Sequence, residues 1–486
     1  MLRKAAIALV LIVIALAGLY KFAGLRLAVD GSGIRPRFLS RQPDYDALEA
    51  DRARQRQLAI SPTPESARAP VPAAPETKAQ PAPAETATSS SAPAALDTTS
   101  EGYWPDFRGP NRDGRYDGTP IRADWPSAGL PRLWRQPIGL GYASFVVADG
   151  RAFTIEQRRQ KEVVAAYAVD TGRELWTHGW DAAFVESMGG DGPRATPTYH
   201  EGRVYALGAM GELRSLEART GALVWRHNII EDAGATNLAW GMSGAPLIVD
   251  DKVIVLPGGP GGKSVVAYHK VTGRQVWSAL DDPQAYTSPM LATIGGVRQI
   301  LIVSARRVAG LTVDEGRLLW EYPWVTYNAI SVAQPLLLGN DRVFMSASYG
   351  HGAAVFEVTR SGEGFVARTV WENSRMKNKF TSSVLAKGYI YGLDEAILAC
   401  VDAATGELKW KGGRYGYGQV MLAGDRLIVL TEDGDVVMVK ATPERHDEVA
   451  RFAAIEGKSW NHPVIAGGRL FVRNVREMAA FDIRPK

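Results

Sequence analysis

From about residue 100 onward the sequence predicts an all-β fold, a single eight-bladed β-propeller with four-stranded blades. Three observations carry that prediction. Short strand-like runs end repeatedly in a small turn, an apolar residue and a tryptophan, most clearly at Asp170-Thr171-Gly172-Arg173-Glu174-Leu175-Trp176. From Trp176 to Trp410 the tryptophans recur at steps of 49, 52, 43, 51 and 39 residues, and a period in the forties suits one four-stranded blade per unit. The 50 Gly and 13 Trp of the 486-residue chain are what a turn-rich repeat fold consumes.

The first element lies ahead of the repeats. Met1-Leu2-Arg3-Lys4 is basic, and Ala5 to Tyr20 is an unbroken apolar run. With Lys21 snorkelling, the span continues to Leu25, close to the roughly 20 residues that cross a bilayer core. Residues 1–25 are therefore expected to be a signal anchor or transmembrane helix. A cleaved signal peptide ending at Ala15-Leu16-Ala17 is the other reading. No cysteine lies near the run, so a lipid anchor is not expected. Arg3 and Lys4 favour a cytoplasmic amino terminus. The expected location is thus a bacterial inner membrane, single-pass, with the propeller in the periplasm.

Residues 26–60 form a juxtamembrane segment, with a short charged helix expected over Asp44 to Ile60. Residues 61–100 shift to Pro, Ala, Thr and Ser. Such a segment cannot bury enough apolar surface to offset its ordering entropy, which predicts a disordered linker. At roughly 3.1 Å per residue its reach is on the order of 100 Å.

Residues 101–486 are the expected propeller. Eight units lie at about 142–176, 194–225, 240–277, 285–320, 328–371, 379–410, 417–452 and 460–483. Arg219-Thr220-Gly221 leads to Trp225, Val271-Thr272-Gly273 to Trp277 and Ala404-Thr405-Gly406 to Trp410. The copies before Trp320 and Trp371 are looser. Thr-Gly supplies the positive φ of a tight hairpin. A second turn recurs upstream, as in Asp149-Gly150-Arg151 and Glu201-Gly202-Arg203. The last unit holds only three strands. Leu133 to Ile138 is expected to pair with it as the fourth, closing the ring and removing both sheet edges.

Charge and cysteine narrow the function. Residues 101–486 carry 44 Lys/Arg against 43 Asp/Glu, which leaves no electrostatic footprint for nucleic acid. Cys400 is the sole cysteine. It cannot form an intramolecular disulfide, a haem-attachment motif or a thiolate metal cage.

These units resemble the tryptophan-docking repeats of the quinoprotein (pyrroloquinoline quinone)-like β-propeller repeat family, over about residues 104–486. In fold and blade size they are similar to the assembly propeller of the Bam complex. Trp104-Pro105-Asp106-Phe107-Arg108-Gly109-Pro110-Asn111-Arg112-Asp113-Gly114 looks like the opening of a bacterial subfamily of such propellers. The resemblance implies structural docking roles for Trp176, Trp225, Trp277, Trp320, Trp371 and Trp410. It also implies, for dehydrogenase members, pyrroloquinoline quinone held with calcium and an aspartate base. Asp191, Asp281 and Asp282, in loops leading to inner strands, are the base candidates, with solvated loop positions as their other reading. The vicinal cysteine pair of alcohol-oxidising members is absent here.

Alignment on the second turn shows what lines the ring. Nine residues before the turn position that is basic in five of the eight units stand Tyr142, Arg194, Ser243, Tyr286, Val332, Phe380, Tyr417 and Trp460, each expected to open an inner strand. An aromatic and cationic ring at a channel mouth suits a planar anion or a ligand carboxylate. The candidate cofactor-binding residues are Arg194, Trp240, Tyr286, Phe380, Tyr417, Trp460 and His462. Packing of the crowded inner edge is the alternative role of each. No catalytic residue and no metal ligand is assigned. Asn111, Asp113 and Asp117 have calcium-like spacing that Asx turns also explain. Gly261-Gly262-Lys263-Ser264 lacks the first glycine of a phosphate loop, Pro257 standing there. His351, in the loop Tyr349 to Gly352, is a further candidate to face the channel.

The expected function is a membrane-tethered binding or scaffolding module of the cell envelope. Its partner would be an envelope protein or a small ligand. The alternative is a pyrroloquinoline-quinone-dependent dehydrogenase of alcohols or sugars.

Overall fold

β-branched runs separated by glycine-bearing turns give eight antiparallel sheets arranged in a ring. The structure, a computed structural model, describes residues 102–485 except 340 and 363, together with helix α1 (Tyr45–Ile60), strands Leu25–Asp30 and Gly33–Phe38, and residues 12, 15 and 18–20. Blades 1 to 6 run from the Val146–Ala148 strand to the Leu408–Arg414 strand, each an up-and-down set of four. Blade 7 has four such strands from Gln419–Ala423 to Glu448–Ala453, with Arg115–Tyr116 added in parallel on its inner side.

Blade 8 closes the ring. Val464–Ala466, Arg469–Arg473 and Glu477–Asp482 supply three strands, and Arg132–Pro137 pairs antiparallel with Glu477–Asp482 as the outer one. The ladder takes residues 132–137 rather than Leu133 to Ile138.

Two turn types set the blade geometry. The inner hairpin turn places both central residues at positive φ, as at Asp149 (49°) and Gly150 (70°), the primed geometry that matches strand twist. The outer turn places its glycine against the tryptophan of the preceding blade. Trp176 Nε1 donates to Ala218 O at 3.0 Å, Trp225 to Lys270 O at 3.0 Å, and Trp277 to Val313 O at 3.1 Å. Trp371 donates to Ala403 O at 3.0 Å and Trp410 to Thr442 O at 2.8 Å. Trp134 of the closing strand repeats the bond to Val169 O at 2.8 Å. Trp320 departs from the pattern: its indole donates to Gln299 Oε1 of its own blade at 2.6 Å. Blade 5 answers with a long hairpin, Gly352–Ser361 and Gly364–Asn373, which carries no Thr-Gly turn at that level.

Apolar clusters fill the seams between neighbouring blades, and the largest spans blades 7, 8 and 1 with Trp104 and Trp134. The inner strands begin later than the sequence suggests. The ladders start at Thr198, Leu247, Met290, Leu336 and Val464, each just after one of Pro197, Pro246, Pro289, Pro335 and Pro463. Proline has no N–H for a ladder, so it ends the free approach segment.

Residues 104–114 cross the channel as a plug. Arg112 Nη1 donates to Ala245 O at 3.1 Å and Pro289 O at 2.6 Å, and its Nε and Nη2 pair with Asp106 at 2.9 and 2.6 Å. Arg108 Nη2 donates to Ser383 O at 2.8 Å on the far side of the ring. The anchor expected over 1–25 falls mostly outside the described residues, as does the linker over 61–100. Among the described residues no helix is long and apolar enough to cross a membrane.

Candidate functional site

The approach segments of the inner strands converge above the plug on a cavity of about 190 Å3. Arg194, Trp240, Tyr286, Phe380, Trp460 and His462 of the sequence-derived set line it, with Tyr142, Ser243 and Val332 of the ring. Tyr417 does not. Gln419 takes its place in blade 7, while the Tyr417 ring packs edge-on behind Phe380, centroids 5.7 Å apart.

One wall is aromatic. Trp460 lies 4.4 Å from Phe380 and 5.2 Å from Tyr142, centroid to centroid. Its indole N–H donates to Glu432 Oε1 at 3.1 Å. Lys458 Nζ sits 4.1 Å over the Trp460 ring and donates to Gly189 O at 2.8 Å. The opposite wall pairs Trp240 with Tyr286 at 5.8 Å. Arg194 stacks on Phe184 at 4.5 Å and donates to the carbonyls of Gly190 and Gly192. Burial lowers its pKa from the usual arginine value.

The floor is Phe107, from the plug, beside His462. Burial first, then the neighbouring Arg108 charge, brings His462 down to about 3, so the imidazole is neutral at physiological pH. Its ring stacks on Trp104 at 6.4 Å, and Nδ1 donates to Pro463 O at 2.7 Å.

Several lining residues were not among the candidates read from the sequence. Phe107 lies in an aperiodic segment, and Met188 in a loop of small residues. Tyr349 reaches the cavity from the loop singled out for His351. His351 itself packs against Trp324 at 4.3 Å and does not line the cavity.

The aspartate candidates serve their own loops. Asp191 Oδ1 accepts the Glu186 N–H at 3.0 Å, and Asp281 Oδ1 that of Gly262 at 2.7 Å. Asp282 is buried against Arg307, with Nε at 2.6 Å, and accepts from Ser304 Oγ at 2.9 Å. Asp113 Oδ1 caps Arg115 N at 3.1 Å, and Asp117 pairs with Arg115 at 3.1 Å. Among the described residues no group of three or more His, Cys, Asp or Glu is placed to hold a metal ion. Among the described residues no carboxylate lines the cavity. A calcium-held quinone with an aspartate base therefore does not fit this donor set, because a hard cation needs several oxygen ligands.

The family model described as outer membrane protein assembly factor BamB matches residues 160–412. The outer membrane protein assembly factor BamB of Burkholderia pseudomallei (strain K96243) is 21% identical over 371 residues, covering 67% of this chain and 92% of that protein. The crystal structure of BamB from Moraxella catarrhalis superposes with a TM-score of 0.53 at 18% identity, covering 73% of this chain and 100% of that one. A quinohemoprotein alcohol dehydrogenase from Pseudomonas putida HK5 superposes with a TM-score of 0.54 at 13% identity, over 79% of this chain and 80% of the other. At such identities the superpositions establish the fold alone. The family match extends over more than half of the sequence, and with the docked tryptophans and the closed eight-bladed ring it places this chain in the family described as outer membrane protein assembly factor BamB.

Proposed function

We propose that this chain is a periplasmic binding and scaffolding propeller, tethered to the inner membrane by the segment over residues 1–25. The observation that carries the reading is the cavity: aromatic, without a carboxylate among the described residues of its lining, and with exposed apolar side chains in the loops beside it. Val185 and Met188 are 72% and 46% exposed, Val325 and Tyr327 67% and 63%. Tyr327 stacks on Tyr349 at the cavity edge, centroids 6.1 Å apart. Exposed apolar side chains in the loops around a pocket are how a protein partner is held by one or two anchoring side chains. The BamB relatives are named as outer membrane assembly factors, and by that likeness the partner is an envelope protein.

The test uses the full chain in its own envelope, with a photo-crosslinking residue at Val325 or Tyr327 and, as control, at Glu201 on the opposite face. Rim-specific crosslinks to one envelope protein, weakened by Trp460→Ala, are expected. Equal labelling from both faces would remove the reading. Titration with pyrroloquinoline quinone and calcium is expected to give no heat. Micromolar binding weakened by Trp460→Ala would instead open a search for a substrate.

A further inference from the structure

Helix α1 takes no part in the cavity, yet it has a specific seat. It lies over the seam where the ring closes, between the outer strand of blade 8 and the outer strand of blade 1. The residues with reduced exposure on one side of it are Tyr45, Leu48, Glu49, Arg52, Gln55 and Arg56, the i, i+3, i+4, i+7 spacing of one helix face. Most of that face is polar.

Each contact is to the seam. Arg52, 3% exposed, donates to Pro137 O of the closing strand at 3.3 Å and stands 3.8 Å from Glu174. Arg56 pairs with Glu174, and Gln55 Oε1 accepts the Glu174 N–H at 3.0 Å. Glu49 pairs with Arg158 at 3.4 Å, and Asp46 with Arg159. Beneath them Arg158 bridges the buried carboxylates of Glu156 and Glu174, and the Tyr167 hydroxyl donates to Glu156 at 2.7 Å.

We propose that this seam is a docking site for an arginine-bearing helix, occupied in cis by α1, which acts as a releasable strap across the ring closure. A polar face can be rehydrated on release, so undocking exposes little apolar surface. Glu174 makes the site selective. A helix without the two arginines would desolvate that carboxylate and leave it under-paired. The 41 residues over 61–101 between α1 and the propeller would span on the order of 130 Å at full extension, ample for the strap to leave and return. Docked, α1 ties the amino-terminal segment to one side of the ring.

Hydrogen exchange by mass spectrometry on the full chain tests this. At low salt the amides of residues 45–60 are expected to be protected. At about 1 M salt, where screening reaches roughly 3 Å, that protection falls while the propeller strands keep theirs. Arg52→Ala with Arg56→Ala frees the strap at any salt and keeps the thermal transition of the ring. The emptied seam then binds a synthetic peptide of residues 42–62. Adding Glu174→Gln weakens that binding about tenfold or more, the loss expected when one member of a buried charge set is removed. Wild-type amides over 45–60 that exchange at the unstructured rate would overturn the proposal. Protection that rises with protein concentration would do so too, since it would seat α1 on a second copy. Loss of the ring's own transition in the double variant would make α1 a core element, and the strap would be refuted.

Discussion

Glu162 is a buried carboxyl with one of its two oxygens unsatisfied. Oε1 accepts the Ala209 N–H at 2.8 Å, and Oε2 has no partner. Gly208 makes the space, since a Cβ there would meet Oε2 at 2.0 Å. Burial raises Glu162 to about 7. The folded value exceeds the unfolded one, so the native state binds more protons between about pH 4.5 and 7. Stability from this residue is therefore present below pH 4.5 and falls as pH rises to 7, by about 2–3 kcal/mol. Glu156 has the opposite sign. Burial works against its ionisation, but Arg158, Arg52 and Arg473 outweigh it and hold the carboxyl at about 2. Its contribution is present above pH 4.5 and fades as pH falls towards 2. Glu162→Gln should leave stability at pH 5 nearly unchanged and raise it at pH 8 by about 1–3 kcal/mol. Urea midpoints of both proteins at the two pH values check this, and a variant less stable at pH 8 would show that the charge is compensated.

At the scale of the blade, the Thr-Gly turn has two separable reasons for its glycine. Gly221 adopts φ +74°, and a Cβ there would stand 2.5 Å from the Trp176 ring. Gly202, in the inner turn of the same blade, has φ +76° with nothing within 4 Å. Gly202→Ala should cost about 1 kcal/mol of backbone strain. Gly221→Ala should cost about 2–4 kcal/mol, because the tryptophan dock must also shift. Denaturant midpoints compare them, and equal losses would mean that the dock is soft. The blades were legible in the sequence for the same reason. Both turns demand glycine or a small polar residue at a fixed offset from the strands, and the inner turn sets the register of each approach segment. That register brought Arg194, Tyr286, Phe380 and Trp460 to one cavity without any structural information. It failed at Tyr417, because a segment that enters one residue pair early turns its ring behind Phe380. The plug and the α1 seat were illegible on physical grounds. Arg112 bonds to carbonyls 133 and 177 residues away, and carbonyls carry no residue identity. α1 docks by a polar face, which hydrophobic periodicity does not register.

Over the whole molecule, stability depends on one junction between distant parts of the chain. The closing strand Arg132–Pro137 meets Glu477–Asp482 across more than three hundred residues of sequence, so the ring gains this ladder only after nearly all of the chain has folded. Until then two sheet edges and the largest apolar cluster stay exposed, a state open to edge-to-edge aggregation. The residues before the repeats are thus part of the propeller in two ways, as closing strand and as plug. Two truncations separate these from the strap. A chain beginning at Gly102 keeps both and loses α1 with the rest of residues 1–101. It should unfold in one cooperative thermal transition, with a midpoint a few degrees or less below the full chain, on the scale of about 1 kcal/mol for a large domain. A chain beginning at Gly139 loses the closing strand, Trp134 and the buried Arg108 and Arg112. It should show no cooperative transition and should be cut by protease within its strands. If the shorter chain instead melted at the same temperature, blade packing alone would suffice, and the closing ladder would be an accessory to a ring that holds without it.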